Sequence, residues 1–331
     1  MMTNRITQAL NIEKPIIQGP MFWLTNANFV AAVSNAGGLG VLGISAGQYE
    51  PTNHNSALTL AHMREQIQLT KKLTDKPFGL NLVFKDNPEK DRHALPLIKL
   101  MIEEQVPVAV INSTRYVDKW FTMLKENNIK IVFRPATPTK TIVNEAAEKG
   151  VDVLVATGFD EGGTIPAKAV GTFSAIPYVA DIVAGRVPVM AAGGIVDERT
   201  TKAAFALGAE GIFVGTAFLA TEESPMADNI KEALTEYDAY DEVLFNAEPQ
   251  FYRSIPGKLP NELEQLSNEG ATHQEVWQLA GRYGGMREGM LRGDLNHGYA
   301  SFGLGMSFIK KITTVSQVID KLYTGVPENQ R

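Results

Sequence analysis

Eight short, almost unbroken apolar runs recur along the chain, separated by longer amphipathic stretches. The first four are Pro15-Ile16-Ile17-Gln18, Gly38-Leu39-Gly40-Val41-Leu42-Gly43, Pro77 to Val83 and Val106 to Asn112. The others are Lys130 to Arg134, Val151 to Ala156, Val187 to Ala192 and Glu210 to Gly215. Strands buried on both faces read as continuous β-branched runs rather than as alternation, which marks a parallel sheet. Stretches such as Ala57 to Thr70 and Thr141 to Lys149 have the polar–apolar spacing of helices lying between those strands. Strand–helix alternation implies right-handed crossovers, and eight strands in about 200 residues match a closed (β/α)8 TIM barrel. The competing layout, a doubly wound open sheet, would place a Gly-rich turn and a helix after its first strand. Here that strand runs into Gln18-Gly19-Pro20-Met21, without G-x-G-x-x-G.

The texture changes after the eighth run. Residues 220–296 show no clear strand, many charges and the helical stretches Asn261 to Leu266 and His273 to Leu279. This predicts an α/β barrel over 1–219 and 297–331, with a small helical insertion or lid over 220–296 after strand eight. Ser301 to Leu322 resumes an amphipathic pattern and predicts the closing helix.

Composition narrows the chemistry. The 331 residues carry 37 acidic and 31 basic side chains for a net charge of −6, with no block of like sign. That lacks the basic footprint of a nucleic-acid or anionic-membrane binder. No apolar run reaches the ~18–20 residues of a membrane span, and Met1 to Thr7 has no apolar signal core, so a cytoplasmic protein is expected. Its expected partner is a small-molecule substrate, with a homodimer left open. Cysteine is absent, which removes disulfides, thiolate metal sites and cysteine nucleophiles and leaves redox chemistry to a bound cofactor. Acidic residues lack metal-ligand spacing, and no metal site is expected.

Function in a barrel sits at the C-terminal strand ends. Strand seven delivers Ala192-Gly193-Gly194 there, and strand eight delivers Gly215-Thr216. Adjacent glycine loops at these two strands are where barrels bind phosphate, through backbone N–H groups with no Cβ in the way. Strand six ends in a second pair, Gly162-Gly163, which would let a flat ring approach the main chain. Strand three offers Asn81, an amide inside an apolar run, and strand one offers Gly19, Pro20 and Met21. Arg134, at the end of strand five, could face the same ligand. Phosphate at strands seven and eight and a planar polar ring over strands one, three and six describe flavin mononucleotide, FMN.

The ordered set Pro15 to Met21, Ala32 to Gly40, Thr74 to Asn81, Gly162-Gly163, Ala191 to Ile195 and Val214 to Phe218 resembles the nitronate monooxygenase family. That family, formerly called 2-nitropropane dioxygenases, includes the FMN-dependent enoyl-acyl-carrier-protein reductases of type II. A weaker match runs from Gly284-Gly285-Met286-Arg287 through Gly293-Asp294 to Gly298. The resemblance implies an FMN-binding barrel and maps flavin contacts onto Gly19, Pro20, Met21, Asn81, Gly162, Gly163, Gly193, Gly194, Gly215 and Thr216.

The chain departs from the family where an acid/base histidine usually follows the glycine pair of strand six. Thr164 stands there, preceded by Asp160 and an additional Glu161, and a threonine cannot act as a base near neutral pH. A glutamine usual on the last helix is replaced by Leu304. Of the five histidines, His54 and His62 read as solvated or structural. His297, where the insertion rejoins the barrel, is the best placed to reach the cavity, with Tyr299 beside it. Three readings follow: oxidation of alkyl nitronates by FMN and O2, where the substrate is already an anion; an NAD(P)H-dependent reductase of an enoyl thioester or quinone; and a flavin-binding sensor without turnover.

Overall fold

The computed structural model of the protein describes residues 4–51, 56–248 and 250–331. His54 lies outside the described residues. The eight strands are β1 (Ile16–Gln18), β2 (Gly40–Leu42), β3 (Phe78–Val83), β4 (Val108–Ser113), β5 (Lys130–Pro135), β6 (Val153–Thr157), β7 (Val189–Ala192) and β8 (Gly211–Val214). All pair in parallel, in the order β1-β8-β7-β6-β5-β4-β3-β2. The seam between β1 and β2 is closed by the pairing of Ile17 with Leu39, where the Gln18 amide donates to the Leu39 carbonyl at 3.0 Å. The fold is a (β/α)8 TIM barrel.

Strand parity divides the core in two. Val108 and Val110 of β4, Val132 of β5 and Val153 and Val155 of β6 fill the barrel interior with Met190 and Phe213. Their neighbours Ala109, Ile111, Ile131, Phe133 and Leu154 instead pack outward under the helices. A strand buried on both faces has no polar side to show, which is why the apolar runs are unbroken. The N-terminal helix Arg5–Leu10 joins the interior cluster through Ile6 and Leu10 and plugs the barrel at its N-terminal end. It starts because Asn4 accepts from the Ile6 and Thr7 amides at 2.9 and 3.1 Å.

Two expectations differ from the structure. Residues 220–296 hold not only helices, Lys258–Asn268 and His273–Leu279, but also an antiparallel hairpin of β9 (Val243–Asn246) and β10 (Phe251–Ser254). Four-residue strands are too short for a period-2 pattern to stand out among the charges. Of the predicted closing helix only Val315–Thr324 forms, started by a Thr314–Gln317 capping box. The preceding stretch passes through a 3-10 turn, Leu304–Phe308, and spends its backbone donors elsewhere. The Gly303 amide donates to Thr216 Oγ1 and the Leu304 amide to the Asp160 carbonyl, both at 2.9 Å. Residues 301–305 thus form a strap across the strand ends. Among the described residues, no helix is long and apolar enough to cross a membrane.

Candidate active site at the strand ends

A cavity of about 410 Å³ opens at the C-terminal ends of the strands, within the size range of ligand pockets. Every residue expected to contact a cofactor lines it: Gly19, Pro20 and Met21 after β1, Asn81 on β3, Arg134 on β5, Gly162 and Gly163 after β6, Ala192, Gly193 and Gly194 at β7, and Gly215 and Thr216 after β8. Thr164 lines it too. Parallel strands in one barrel present their C-terminal ends to one side, so residues far apart in sequence converge without any local signal between them.

The glycines do different jobs. Gly193 and Gly194 turn the chain with φ of +105° and +71°, and Thr172 Oγ1 fastens the turn by donating to the Gly193 carbonyl at 3.0 Å. Gly162 lies so close to the strap that a Cβ would come within 2.5 Å of the Phe302 carbonyl carbon. Its lack of a side chain lets the strap pack against it, and it lines the cavity as well. A Cβ on Gly163 would meet nothing, so this position is the open one.

His297 and Tyr299 do not reach the cavity. The His297 ring lies on the surface, its Nδ1 2.7 Å from Asp294. Tyr299 is fully buried in the 220–296 segment, its hydroxyl donating to the Arg282 carbonyl at 3.2 Å. The cause is backbone crossing: Gly298 and Gly289 pass in contact, and this turns Tyr299 inward against Phe245 and Tyr252. Leu304 sits in the 3-10 turn, not on the last helix.

Sequence reasoning passed over other lining residues. Asn112 lies next to last on β4, a polar residue in an apolar run like Asn81 on β3, and the same signal could have found it. Its buried Oδ1 has no protein donor among the described residues. Tyr283, Met286 and Met290 come from a one-turn helix and the π-helical segment Arg287–Leu291 and cover the cavity mouth. No periodicity points to them.

Two charge pairs lie beside the cavity. Arg134 forms an ion pair with Glu161 on the cavity wall, so its charge is already met. Behind them, Arg253 of β10 donates to the Phe159 carbonyl at 2.8 Å and lies 3.8 Å from Glu242. The hairpin is thereby docked onto the β6 loop by buried charge. Burial pushes the Glu161 carboxyl up to about 6 and the Glu242 carboxyl up to about 8, against the pull of the two guanidinium groups. Each acid therefore holds a proton in the fold at pH values where the unfolded chain has released it. Their contribution to stability is full below the ordinary glutamate value of 4.5 and is lost as pH rises through 6 and then 8. The free energy of unfolding from urea titrations at about pH 5 to about pH 8 should fall as pH rises, by up to about 1.4 kcal/mol per pH unit per group. Glu242→Gln should flatten the upper part of that slope; identical slopes in the two proteins would remove Glu242 as its source.

The cavity fits FMN on its own chemistry. Asn81 spends its amide nitrogen on the Val110 carbonyl at 3.0 Å and leaves its oxygen without a protein donor among the described residues. With Asn112 Oδ1 this makes two acceptors, either of which the ring N–H could meet. The Gly193-Gly194 turn and the one-turn helix Thr216–Leu219 stand side by side at β7 and β8, the usual barrel arrangement for phosphate.

A family model described as nitronate monooxygenase matches residues 3–325. A probable nitronate monooxygenase of Staphylococcus aureus is 31% identical over 307 residues, covering 80% of this chain and 82% of that protein. The solved structure of FabK from Thermotoga maritima is 30% identical, with a TM-score of 0.83, covering 98% of this chain and 96% of that one. Nitroalkane oxidase from Streptomyces ansochromogenes, at 21% identity, TM-score 0.78 and coverage of 98% and 99%, shares the fold.

Proposed function

The chain belongs to the nitronate monooxygenase family and is an oxidoreductase, and from that premise we propose that it binds FMN and oxidises alkyl nitronates with O2. FMN, when bound, supplies the electron acceptor that an electron-rich nitronate carbon requires. Asn81 or Asn112 would accept from the one N–H of the oxidised ring, and the Gly193-Gly194 and Gly215-Thr216 backbone would hold its phosphate. One observation carries the choice of substrate. The position where the family has an imidazole is Thr164, whose hydroxyl is engaged with Tyr252 at 2.9 Å. Arg134, the one cation among the described lining residues, is neutralised by Glu161. The acidic groups on the described lining are Glu161, held by Arg134, and the Tyr283 phenol; with no imidazole there, the site suits a substrate that arrives already deprotonated.

A second reading, NAD(P)H-dependent reduction of an enoyl thioester or quinone, is favoured by the FabK likeness and by the phenol of Tyr283 at the cavity, which can donate a proton. The two separate in one pair of measurements. Aerobic turnover of ethyl nitronate or propionate-3-nitronate, with no anaerobic bleaching of the flavin by NADH or NADPH, is the expected result. Bleaching without nitronate turnover would install the reductase in its place, and a purified protein that takes up no FMN would remove both.

A further inference from the structure

Three hydroxyl groups from separate parts of the chain meet at the cavity wall. Thr164 comes from the β6 loop, Tyr252 from β10 and Tyr283 from the turn before the π-helical segment. Thr164 Oγ1 lies 2.9 Å from the Tyr252 hydroxyl, and the Tyr252 and Tyr283 rings pack on the same indole, Trp277, which brings the two phenols close enough to interact. Thr164 and Tyr283 line the cavity, whereas Tyr252 is fully buried behind them.

Counting protons settles what this row can offer. Each hydroxyl carries one proton and can accept twice. A row bonded throughout uses two protons, one in each internal link, and leaves one over. If both ends donated to Tyr252, the spare proton would be its own, buried without an acceptor, at a cost of about 1–3 kcal/mol. The spare proton therefore sits at one cavity end, and Tyr252 decides which. A phenol is a stronger acid than an aliphatic alcohol, so toward an anion the favoured sense is Thr164 to Tyr252 to Tyr283, each donor polarising the next. Burial pushes the Tyr252 and Tyr283 phenols up, which keeps both protonated at neutral pH.

The donor is also held in place. The Tyr283 ring meets Trp277 edge-on at 5.0 Å and Phe22 at 5.1 Å. Trp23 Nε1 donates to the Tyr283 carbonyl at 3.1 Å. Tyr252 stacks on the other side of the arrangement, its ring centroid 5.2 Å from that of Trp277.

We propose that Tyr283 is the residue that binds the substrate oxyanion, donating its hydroxyl proton to an oxygen of the nitronate group, and that Tyr252 and Thr164 are positioning residues that aim that proton into the cavity. The inference deepens the nitronate reading and rests on it. It also accounts for an anionic substrate in a cavity whose one guanidinium is already paired, because a hydrogen bond to an anion is roughly twice as strong as a neutral one.

Inorganic nitrate is a suitable probe, since it presents the same O–N–O edge and nothing to oxidise. Its binding to the FMN-loaded protein can be read from tryptophan fluorescence, because Trp23 and Trp277 both touch Tyr283. Tyr283→Phe keeps the ring and its packing, and should weaken nitrate binding about tenfold or more. It should raise KM for ethyl nitronate by a similar factor with little change in kcat. Thr164→Val should weaken nitrate by a smaller factor, and Thr164→Ser should restore it, which a purely structural threonine would not require. Unchanged nitrate affinity in Tyr283→Phe, a wild-type protein that does not bind nitrate, or Thr164→Ser behaving as Thr164→Val would each overturn the proposal. Nitrate binding that depends on Tyr283 in a protein inactive on nitronates would keep the oxyanion site and remove the substrate. Nitronate turnover indifferent to Tyr283→Phe would keep the substrate and remove the site.

Discussion

Gly289→Ala is expected to lower the free energy of unfolding by about 3 kcal/mol or more, at the upper end of what overpacking costs. A Cβ at Gly289 would lie 2.2 Å from the Tyr299 carbonyl oxygen and 2.5 Å from the Tyr299 nitrogen. Both obstacles are backbone, so no rotamer change relieves them. The strand of chain that would have to move carries Tyr299, which is buried against Phe245 and Tyr252. Displacement there would reach the Thr164–Tyr252 hydrogen bond and with it the cavity wall. Gly284 is the internal control: it lies in the neighbouring one-turn helix, a Cβ there meets nothing, and its φ is ordinary. Gly284→Ala should be neutral or slightly stabilising, because alanine is the better helix former. Urea denaturation of the two variants decides the matter; equal midpoints would sink the backbone-crossing account.

Gly193→Ala should weaken the proposed FMN binding about a hundredfold or more. Two costs combine. A φ of +105° is strained for any residue with a side chain, by about 1–3 kcal/mol. The new Cβ would also come within 2.6 Å of Thr172 Oγ1, the group that pins the turn through the Gly193 carbonyl. Relief by backbone movement shifts the amides proposed to hold the phosphate, so the strain appears as lost affinity rather than as lost fold. Equilibrium dialysis against FMN measures it, and Thr172→Ala on the same background should recover part of the loss by opening the space. A Gly193→Ala protein that is purified fully yellow would exclude this turn as the phosphate site.

Much of the scaffold was legible because its logic is local. Each of the eight runs had to be buried on both faces, and a run that must be buried throughout cannot hide in sequence. The cavity glycines were legible for a related reason: once the runs are strands of one barrel, their C-terminal ends point the same way. Asn81 stood out as an amide among apolar neighbours, and Asn112 carried the same mark. Gly162 was legible as half of a glycine pair, but the close approach of Phe302, far along the chain, which also demands hydrogen in place of Cβ there, was not. The hairpin escaped because four-residue strands have no period to detect. His297 and Tyr299 were placed by their position in the chain, and a backbone crossing overrode that placement.

The sequence by itself determined the barrel, its parallel strands and the set of glycine-bearing strand ends, because burial and strand parity act within a few residues. It also determined that the usual imidazole is absent, since Thr164 can be read directly. What fills that gap was decided only in three dimensions. Thr164 meets Tyr252 across 88 positions of chain, and Tyr283 joins them from a segment with no regular pattern. Such meetings depend on how the hairpin, the strap and the π-helical turn pack against the barrel. Short polar contacts between distant side chains leave no periodic trace, so only the assembled fold shows a row of neutral hydroxyls where a base would otherwise stand.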